Sequence, residues 1–137
     1  MVDKKVYVLD TSAIFCLKDD ASGADKVEKI LQSQDTVYAS FMTYMEYLYI
    51  TMIKYGDERA REAYLRLTML PIQVVESDEE LRYLAAELKA KYNISLADAW
   101  IAATAKRLDA ILIHKDPEFE ALADVIKCIN LPYKKGN

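Results

Sequence analysis

The sequence contains little glycine, little proline and few thiols. Its 137 residues include three Gly, three Pro and two Cys, whereas 53% of the residues are hydrophobic. Disordered and linker-rich chains have the opposite composition, so these counts predict a densely folded globular protein. A chain of this length suits one compact core and is too short for two ordinary domains. We therefore expect a single domain over residues 1–137.

Cysteine and histidine, the usual zinc ligands, are scarce. Cys16 and Cys128 are far apart and each lies in an apolar run, which is more typical of buried core residues than of a disulfide or a zinc site. His114 is the only histidine. Together with the absence of a GxSxG motif, this disfavours a Ser-His-Asp hydrolase.

The chain also lacks an excess of positive charge and an uninterrupted apolar run. Its net charge is -4, so a polyanionic partner is not attracted by overall charge, and binding to phosphates would need bridging metal ions. The stretch 36–53 approaches the length of a membrane span but includes Ser40 and Glu46, which disfavours a transmembrane helix. Charge interrupts the N-terminal residues too early for a signal peptide. We expect a cytoplasmic protein without membrane contact.

Short β-rich runs alternate with helical patterns along the chain. The predicted strands cover residues 6–9, 36–39, 72–75, 110–113 and 125–129. This alternation predicts an α/β fold with an open, mostly parallel five-stranded sheet and helices on both faces. In such sheets a ligand binds beyond the carboxyl ends of the strands, at the point where the strand order reverses.

Capping residues mark where the predicted helices begin. Ser40 is placed to cap a long helix that ends near Gly56, and Asp57 to cap the helix that follows. Ser77 and Ser95 each begin a capping box, a Ser followed three residues later by an acid. These signals predict two helices between the second and third strands and two between the third and fourth.

Four carboxylates stand where the sheet predicts a binding site. Asp10 follows the first strand, Asp116 follows the fourth, and Asp98 lies in the first turn of an apolar helix. Each of these three also has a structural explanation as a helix cap or a first-turn acid. Glu46 has no such explanation, because it lies in the middle of an otherwise apolar helix. A carboxylate removed from water costs several kcal/mol unless donors or a cation are present.

The four acids together predict a divalent-cation site. Carboxylates in one pocket repel each other, and without a cation one or more of them would remain protonated. Mg²⁺ and Mn²⁺ suit oxygen ligands and keep waters that substrate phosphates replace. We therefore predict that the metal ligands are Asp10, Glu46, Asp98 and Asp116.

Four segments carry a resemblance to a known family. They are Val8 to Ile14, the apolar helix around Glu46, Ser95 to Ala105, and Ile113 to Phe119. In order and spacing they resemble the PIN domain, and the chain is similar in size to the VapC toxins of VapBC toxin–antitoxin pairs.

The resemblance implies an endoribonuclease that uses Mg²⁺ or Mn²⁺ to hydrolyse RNA. The catalytic and metal-binding residues would be Asp10, Glu46, Asp98 and Asp116, with Thr11 or Ser12 assisting at the metal or the phosphate. The resemblance also implies a homodimer and a cognate antitoxin protein as partners. His114 departs from the family pattern, which more often has Ser or Thr two residues before the last aspartate. A structural role for His114 is favoured over phosphate contact or proton relay.

Other functions remain open from the sequence. A phosphatase of the haloacid dehalogenase type needs a second aspartate two residues after the first, and Ser12 occupies that position. A PIN-domain RNA-processing nuclease without an antitoxin is the nearer alternative. A non-catalytic PIN-like binding module is disfavoured because it would have no use for four mutually repelling acids.

Tyrosine is unusually common, with ten residues. Five of them, with four methionines, crowd the two central helices: Tyr44, Tyr47, Tyr49, Tyr55, Tyr64, Met42, Met45, Met52 and Met69. Ordinary core packing and an interface for a second copy or an antitoxin peptide explain this crowding equally well.

Overall fold

Five parallel strands form a single sheet. In the computed structural model, which describes residues 4–133, the strands are β1 (Val6–Leu9), β2 (Thr36–Ser40), β3 (Gln73–Val75), β4 (Ile111–His114) and β5 (Cys128–Asn130). Their order is β3-β2-β1-β4-β5, and all four pairings are parallel. The predicted α/β class and five-stranded sheet are confirmed, and the described strands are entirely, rather than mostly, parallel.

Helices connect all of the strands. Between residues 4 and 133 they are α1 (Thr11–Lys18), α2 (Ala24–Gln32), α3 (Phe41–Tyr55), α4 (Asp57–Thr68), α5 (Glu79–Lys91), α6 (Leu96–Arg107) and a 3₁₀ helix (Pro117–Leu122). The Ser40 hydroxyl accepts the N–H of Met42, which confirms the predicted cap of α3. None of these helices has both the length and the apolar character that crossing a membrane requires.

The helices cover both faces of the sheet. Successive residues of a strand point to opposite faces, so Tyr7 and Leu9 pack against α1 to α4, whereas Val8 packs against α5 and α6. In β4, Ile113 packs on the side of α1 to α4 and Leu112 on the side of α5 and α6. The two central strands are therefore buried on both sides, which explains why they are continuously apolar in sequence.

The fifth strand begins later than predicted. The sequence predicts a strand over residues 125–129, but β5 begins at Cys128. The N–H groups of Val125 and Ile126 both donate to the carbonyl of Leu122, at 3.0 Å each. These amides continue the turn after the 3₁₀ helix and therefore cannot pair with β4.

Two predicted helix caps are also wrong by one residue. Asp78, not Ser77, caps α5, because its carboxylate accepts the N–H of Leu81 at 2.8 Å and also pairs with Arg107 of α6 at 2.6 Å. Asp57 is the first residue of α4, and Gly56 before it provides no side-chain cap.

Candidate active site

The strand order reverses between β1, the central strand of the sheet, and its neighbour β4. From β1 the chain moves outwards through β2 to β3, whereas the later strands β4 and β5 lie on the other side. Asp10 directly follows β1, and Asp116 lies two residues beyond β4. The N–H of Asp10 donates to the carbonyl of Ile113 at 3.0 Å. Both aspartates therefore lie at the crevice where open α/β sheets bind ligands.

Ser12 connects Asp10 to the end of β4. The Asp10 carboxylate caps α1 by accepting the N–H of Ser12 at 3.0 Å, and the Ser12 hydroxyl donates to the same oxygen, Oδ2. The Ser12 hydroxyl in turn accepts the N–H of Lys115 at 2.8 Å. Burial raises the pKa of Asp10 to about 7, although the two Ser12 hydrogen bonds act in the opposite direction.

Glu46 reaches the same crevice from α3. The hydroxyl of Thr11 donates to Oε1 of Glu46 at 2.6 Å. The strong hydrogen-bond donor expected for Glu46 is therefore a hydroxyl at the start of α1. The Glu46 side chain is half-buried rather than fully buried. Partial burial raises the pKa of Glu46, while the hydrogen bond from Thr11 lowers it.

Asp98 lies in the first turn of α6. Ser95 caps α6 as predicted, because its hydroxyl accepts the N–H of Asp98 at 3.1 Å. The return bond of a capping box is missing, since the N–H of Ser95 donates to Oε1 of Glu118 instead. Asp98 is 5% exposed, and its Oδ2 is buried without a hydrogen-bond partner among residues 4–133. Burial is the main reason why the pKa of Asp98 rises to about 10, and the adjacent Glu118 carboxylate raises it further because it accepts a hydrogen bond only from the protonated form of Asp98.

Glu118 is a site residue that the sequence analysis did not assign. One carboxylate oxygen from each of Asp98, Asp116 and Glu118 lies within 4.8 Å of the others. The N–H of Glu118 donates to Oδ1 of Asp116 at 3.0 Å, so Asp116 caps the 3₁₀ helix. The only sequence signal was the position of Glu118 directly after Asp116 and Pro117, in the segment that resembles the family motif.

The four predicted acids interact with one another through their charges. Glu46 and Asp116 each raise the pKa of Asp10, and Asp10 and Asp116 each raise that of Asp98. Asp116 also raises the pKa of Glu46. The structure thus brings these side chains to one end of the sheet, with Asp98, Asp116 and Glu118 in the tightest group. Their role as metal ligands stays a prediction.

Comparison with known proteins identifies the family. The family model for the PIN domain matches residues 7–125. The chain belongs to the PIN domain family. A search of curated protein sequences finds no match.

Solved structures with this fold include several VapBC proteins. This PIN domain superposes on VapBC-1 from nontypeable Haemophilus influenzae with a TM-score of 0.71 and 27% identity, covering 91% of this chain and 97% of that one. For VapBC2 from Rickettsia felis the TM-score is 0.74 and the identity 16%, covering 93% and 99%. For VapC20 from Mycobacterium tuberculosis, described as a Sarcin-Ricin loop cleaving toxin, the values are 0.67 and 20%, covering 85% and 94%. The predicted resemblance to VapC-type PIN domains is confirmed.

His114, which departs from the pattern of the PIN domain, is a buried residue. It is 2% exposed, and its ring lies 5.2 Å from that of Phe119. Its Nδ1 accepts the N–H of Asp116 at 3.2 Å, and burial lowers its pKa. An imidazole in this position orients the main chain of Asp116, which supports a structural role.

The carboxylates of this PIN domain share a pattern that suits a metal ion. In four of the acids, one carboxylate oxygen accepts a hydrogen bond from the protein. These oxygens are Oδ2 of Asp10, Oε1 of Glu46, Oδ1 of Asp116 and Oε1 of Glu118. Donors to the ligating carboxylates of metal sites commonly orient them in this way. Oδ2 of Asp98 has no such donor within the described chain.

The donor set also indicates which metal fits. The grouped atoms are all carboxylate oxygens, the ligands that Mg²⁺ and Mn²⁺ prefer over softer metals. The oxygens of Asp98, Asp116 and Glu118 all lie within 4.8 Å of one another, near enough for these residues to hold one ion among them.

Proposed function

We propose that this PIN domain is a Mg²⁺- or Mn²⁺-dependent endoribonuclease that hydrolyses phosphodiester bonds of RNA. The observation that carries the proposal is the unpartnered, buried Oδ2 of Asp98 inside a cluster of acids. A buried carboxylate oxygen without a donor destabilises the fold by several kcal/mol. A bound cation removes that cost, and a non-catalytic module would gain nothing from retaining it.

Each residue of the cluster has a part in the proposed reaction. Asp10, Glu46, Asp98 and Asp116 would hold the metal, and Glu118 would join them because one of its carboxylate oxygens lies close to those of Asp98 and Asp116. When bound, Mg²⁺ or Mn²⁺ supplies Lewis-acid activation of the phosphodiester and of the water that attacks it. Ser12 and Thr11 would act as positioning residues, because their hydroxyls fix the carboxylates of Asp10 and Glu46.

We also propose that the chain is the toxin of a VapBC pair, with an antitoxin and a second copy of itself as partners. The similarity to structures of VapBC proteins supports this proposal. Part of the apolar surplus on α3 and α4 is core, since Tyr44 and Tyr47 are buried. Met42, Met52 and Tyr64 are half-buried, whereas Met45, Tyr49, Tyr55 and Met69 are exposed, and the exposed Ile53 lies among them on α3. Exposed apolar side chains on two neighbouring helices are the kind of surface that protein partners cover.

Substitution of Asp98 tests the nuclease proposal. The purified protein is expected to cleave single-stranded RNA with Mn²⁺ or Mg²⁺, and Asp98→Asn is expected to lower the rate by about 10³-fold or more, because it removes a charged ligand without changing side-chain volume. The measurement is the initial rate on a labelled oligonucleotide.

Asp124→Asn is the matched control, since Asp124 is exposed and outside the acidic cluster. The control should cleave at the rate of the unmodified protein. Undiminished cleavage by Asp98→Asn, or cleavage in excess EDTA, would exclude the proposed metal-dependent reaction.

A further inference from the structure

A cavity of about 350 Å³ lies beside the acidic cluster, between α1 and α3. Ser12 lines this cavity and also donates its hydroxyl proton to Asp10. Lys115, next to Asp116 in sequence, lines it as well. On α3, Ile50 lies one helical turn beyond Glu46 and forms part of the same wall. The cavity is therefore a lateral extension of the candidate active site.

Two lysine side chains give this cavity a positive character. The ammonium group of Lys115 is anchored by a hydrogen bond of 2.8 Å to the carbonyl of Ser22. Lys54, in the last turn of α3, has its ammonium 5.7 Å from the centre of the Phe15 ring. Within residues 4–133 neither lysine forms an ion pair. Asp19 also lines the cavity, but it lies 3.7 Å from the ammonium of Lys18.

Phe15 provides an aromatic surface in the same cavity. Its ring is half-buried and stacks on that of Tyr47, with 4.9 Å between the ring centres and 22° between their planes. Tyr47 is itself buried in the core, so it holds Phe15 in place from behind. A fixed aromatic ring beside cationic side chains is the combination that single-stranded nucleic acids recognise, through base stacking and phosphate contacts.

We propose that this cavity binds one nucleotide of the RNA substrate, next to the phosphodiester at the acidic cluster. Lys54 and Lys115 would contact its phosphate, and Lys54 would move from its place over the Phe15 ring so that the base can stack there. The inference rests on the proposed nuclease function and deepens it by assigning substrate-positioning residues. The volume is near the lower limit of small-molecule sites, about 300 Å³, which suits one nucleotide rather than several.

The two lysines also compensate for the repulsion between this acidic protein and RNA. The protein carries a net charge of -4, and the acidic cluster repels phosphates until a metal is bound. Two lysines beside the cluster give the RNA backbone a local cationic contact that the overall charge does not provide. Lysine serves this purpose as a point charge for phosphate.

The test is RNA binding as a function of salt, in EDTA, which prevents cleavage and removes the metal, so that the lysines rather than a bound cation are the positive contacts being measured. The probe is a fluorescein-labelled, single-stranded RNA 12-mer of mixed sequence, followed by anisotropy between 25 and 200 mM KCl. Lys54→Gln should weaken binding about threefold or more and reduce the slope of log K against log[salt] by about 0.7, the value for one lost phosphate contact to a single strand. Phe15→Leu should weaken binding about fivefold or more without changing the slope.

Lys89→Gln is the matched control, because Lys89 is exposed on α5 at the opposite face of the sheet. It should change neither the affinity nor the slope. Melting temperatures of all variants verify that the fold is intact. With Mn²⁺ present, Lys54→Gln and Phe15→Leu should raise KM for RNA cleavage much more than they lower kcat.

Three outcomes would overturn the inference. The first is RNA affinity and slope unchanged in both Lys54→Gln and Phe15→Leu. The second is an equal loss in the Lys89→Gln control. The third is tight binding of an oligoglutamate peptide, if Lys54→Gln weakens peptide binding as strongly as RNA binding and Phe15→Leu changes neither. That result would assign the surface to an acidic peptide. If the unmodified protein binds RNA as expected but does not cleave it with Mn²⁺, the nuclease proposal fails separately.

Discussion

Asp98 and Glu118 show how a changed hydrogen-bond partner can leave a buried carboxylate oxygen without a donor. In an ordinary capping box the acid at the third helical position accepts the N–H of the capping serine. Here Glu118 accepts the N–H of Ser95 instead. The Asp98 carboxylate therefore lies in the acidic cluster without that hydrogen bond. The sequence predicts Asp98 as a site residue from its place in an apolar helix. It does not predict Glu118 as a site residue, because its partner Ser95 is 23 residues away and is brought near only by the tertiary fold.

The pKa of Asp10 leads to a prediction about pH. The folded, metal-free protein holds a proton on Asp10 up to a pKa of about 7, whereas the unfolded chain loses it near 3.8. Below pH 3.8 both states are protonated, so burial of Asp10 carries no charge penalty. As the pH rises to 7, only the unfolded chain releases the proton, and the folded state loses stability relative to it.

Asp10→Asn should therefore stabilise the protein in EDTA at pH 8, on the order of 2 kcal/mol, because asparagine caps helices as well as aspartate and carries no charge. The advantage should fade towards pH 4. Urea unfolding at several pH values measures it, with Asp124→Asn as the exposed control. A constant advantage across this range would contradict the assigned cause.

The elements of the sheet are well predicted from sequence, and their ends are less so. All five predicted strands exist because each is an apolar, β-rich run between turn residues. One wrong boundary depends on a distant group, because Arg107 pairs with Asp78 at the cap of α5, and a local sequence pattern contains no information about such a partner. The other depends on a local competition that the β-rich composition hides, because the carbonyl of Leu122 accepts the amides that would have extended β5.

The start of α2 provides a prediction about packing between elements. Gly23 precedes this helix with φ of +105°, and an added Cβ would lie 3.0 Å from Cδ of Pro132 and 3.2 Å from Cβ of Leu131. Gly23→Ala should therefore destabilise the protein by about 2–3 kcal/mol through backbone strain and crowding. The cost should be smaller in a Pro132→Ala background, which removes the nearest atom.

Gly56 is the matched control for this experiment. Its φ is +86°, but an added Cβ would meet nothing within 4 Å. Gly56→Ala should cost about 1–3 kcal/mol from backbone strain alone, and the same amount with and without Pro132→Ala. Denaturant midpoints of the single and double variants give these values. Equal costs of Gly23→Ala in both backgrounds would show that crowding at Pro132 is absent.

At the scale of the whole molecule, the sheet order determines where the site lies. The strand-helix alternation predicts a parallel sheet and a ligand site at its carboxyl edge, but it does not predict which strands are central. The observed order makes β1 and β4 neighbours, which puts Asp10 and Asp116 on either side of one crevice. The family model covers residues 7–125, and the extension of one domain over 1–137 stays a prediction.

Metal binding should stabilise the entire fold. A cation that binds only the folded state adds about 2.7 kcal/mol at a hundredfold excess over its Kd, which corresponds to a rise in Tm on the order of 8 °C for a domain of this size. Mn²⁺ titrated into EDTA-treated protein should produce this rise in a thermal melt. Glu118→Gln should reduce it, because the variant lacks one charged ligand.

Glu120→Gln is the control for Glu118→Gln. Glu120 is exposed in the same 3₁₀ helix and accepts a hydrogen bond from Tyr133 rather than facing the cluster. Its Mn²⁺ response should equal that of the unmodified protein. If Mn²⁺ leaves the Tm unchanged, no metal binds to the folded state, and if both variants respond alike, Glu118 is not a ligand.

The acids of the site come from β1, α3, α6 and the 3₁₀ helix, a span that runs from Asp10 to Glu118. This dispersion has a consequence for the growing chain on the ribosome. A nascent polypeptide that has emerged only through α6 contains three of the acids but lacks Asp116 and Glu118. The crevice also needs β4 to insert beside β1 before its walls meet. The acidic cluster therefore becomes complete only after β4 and the 3₁₀ helix have been synthesised.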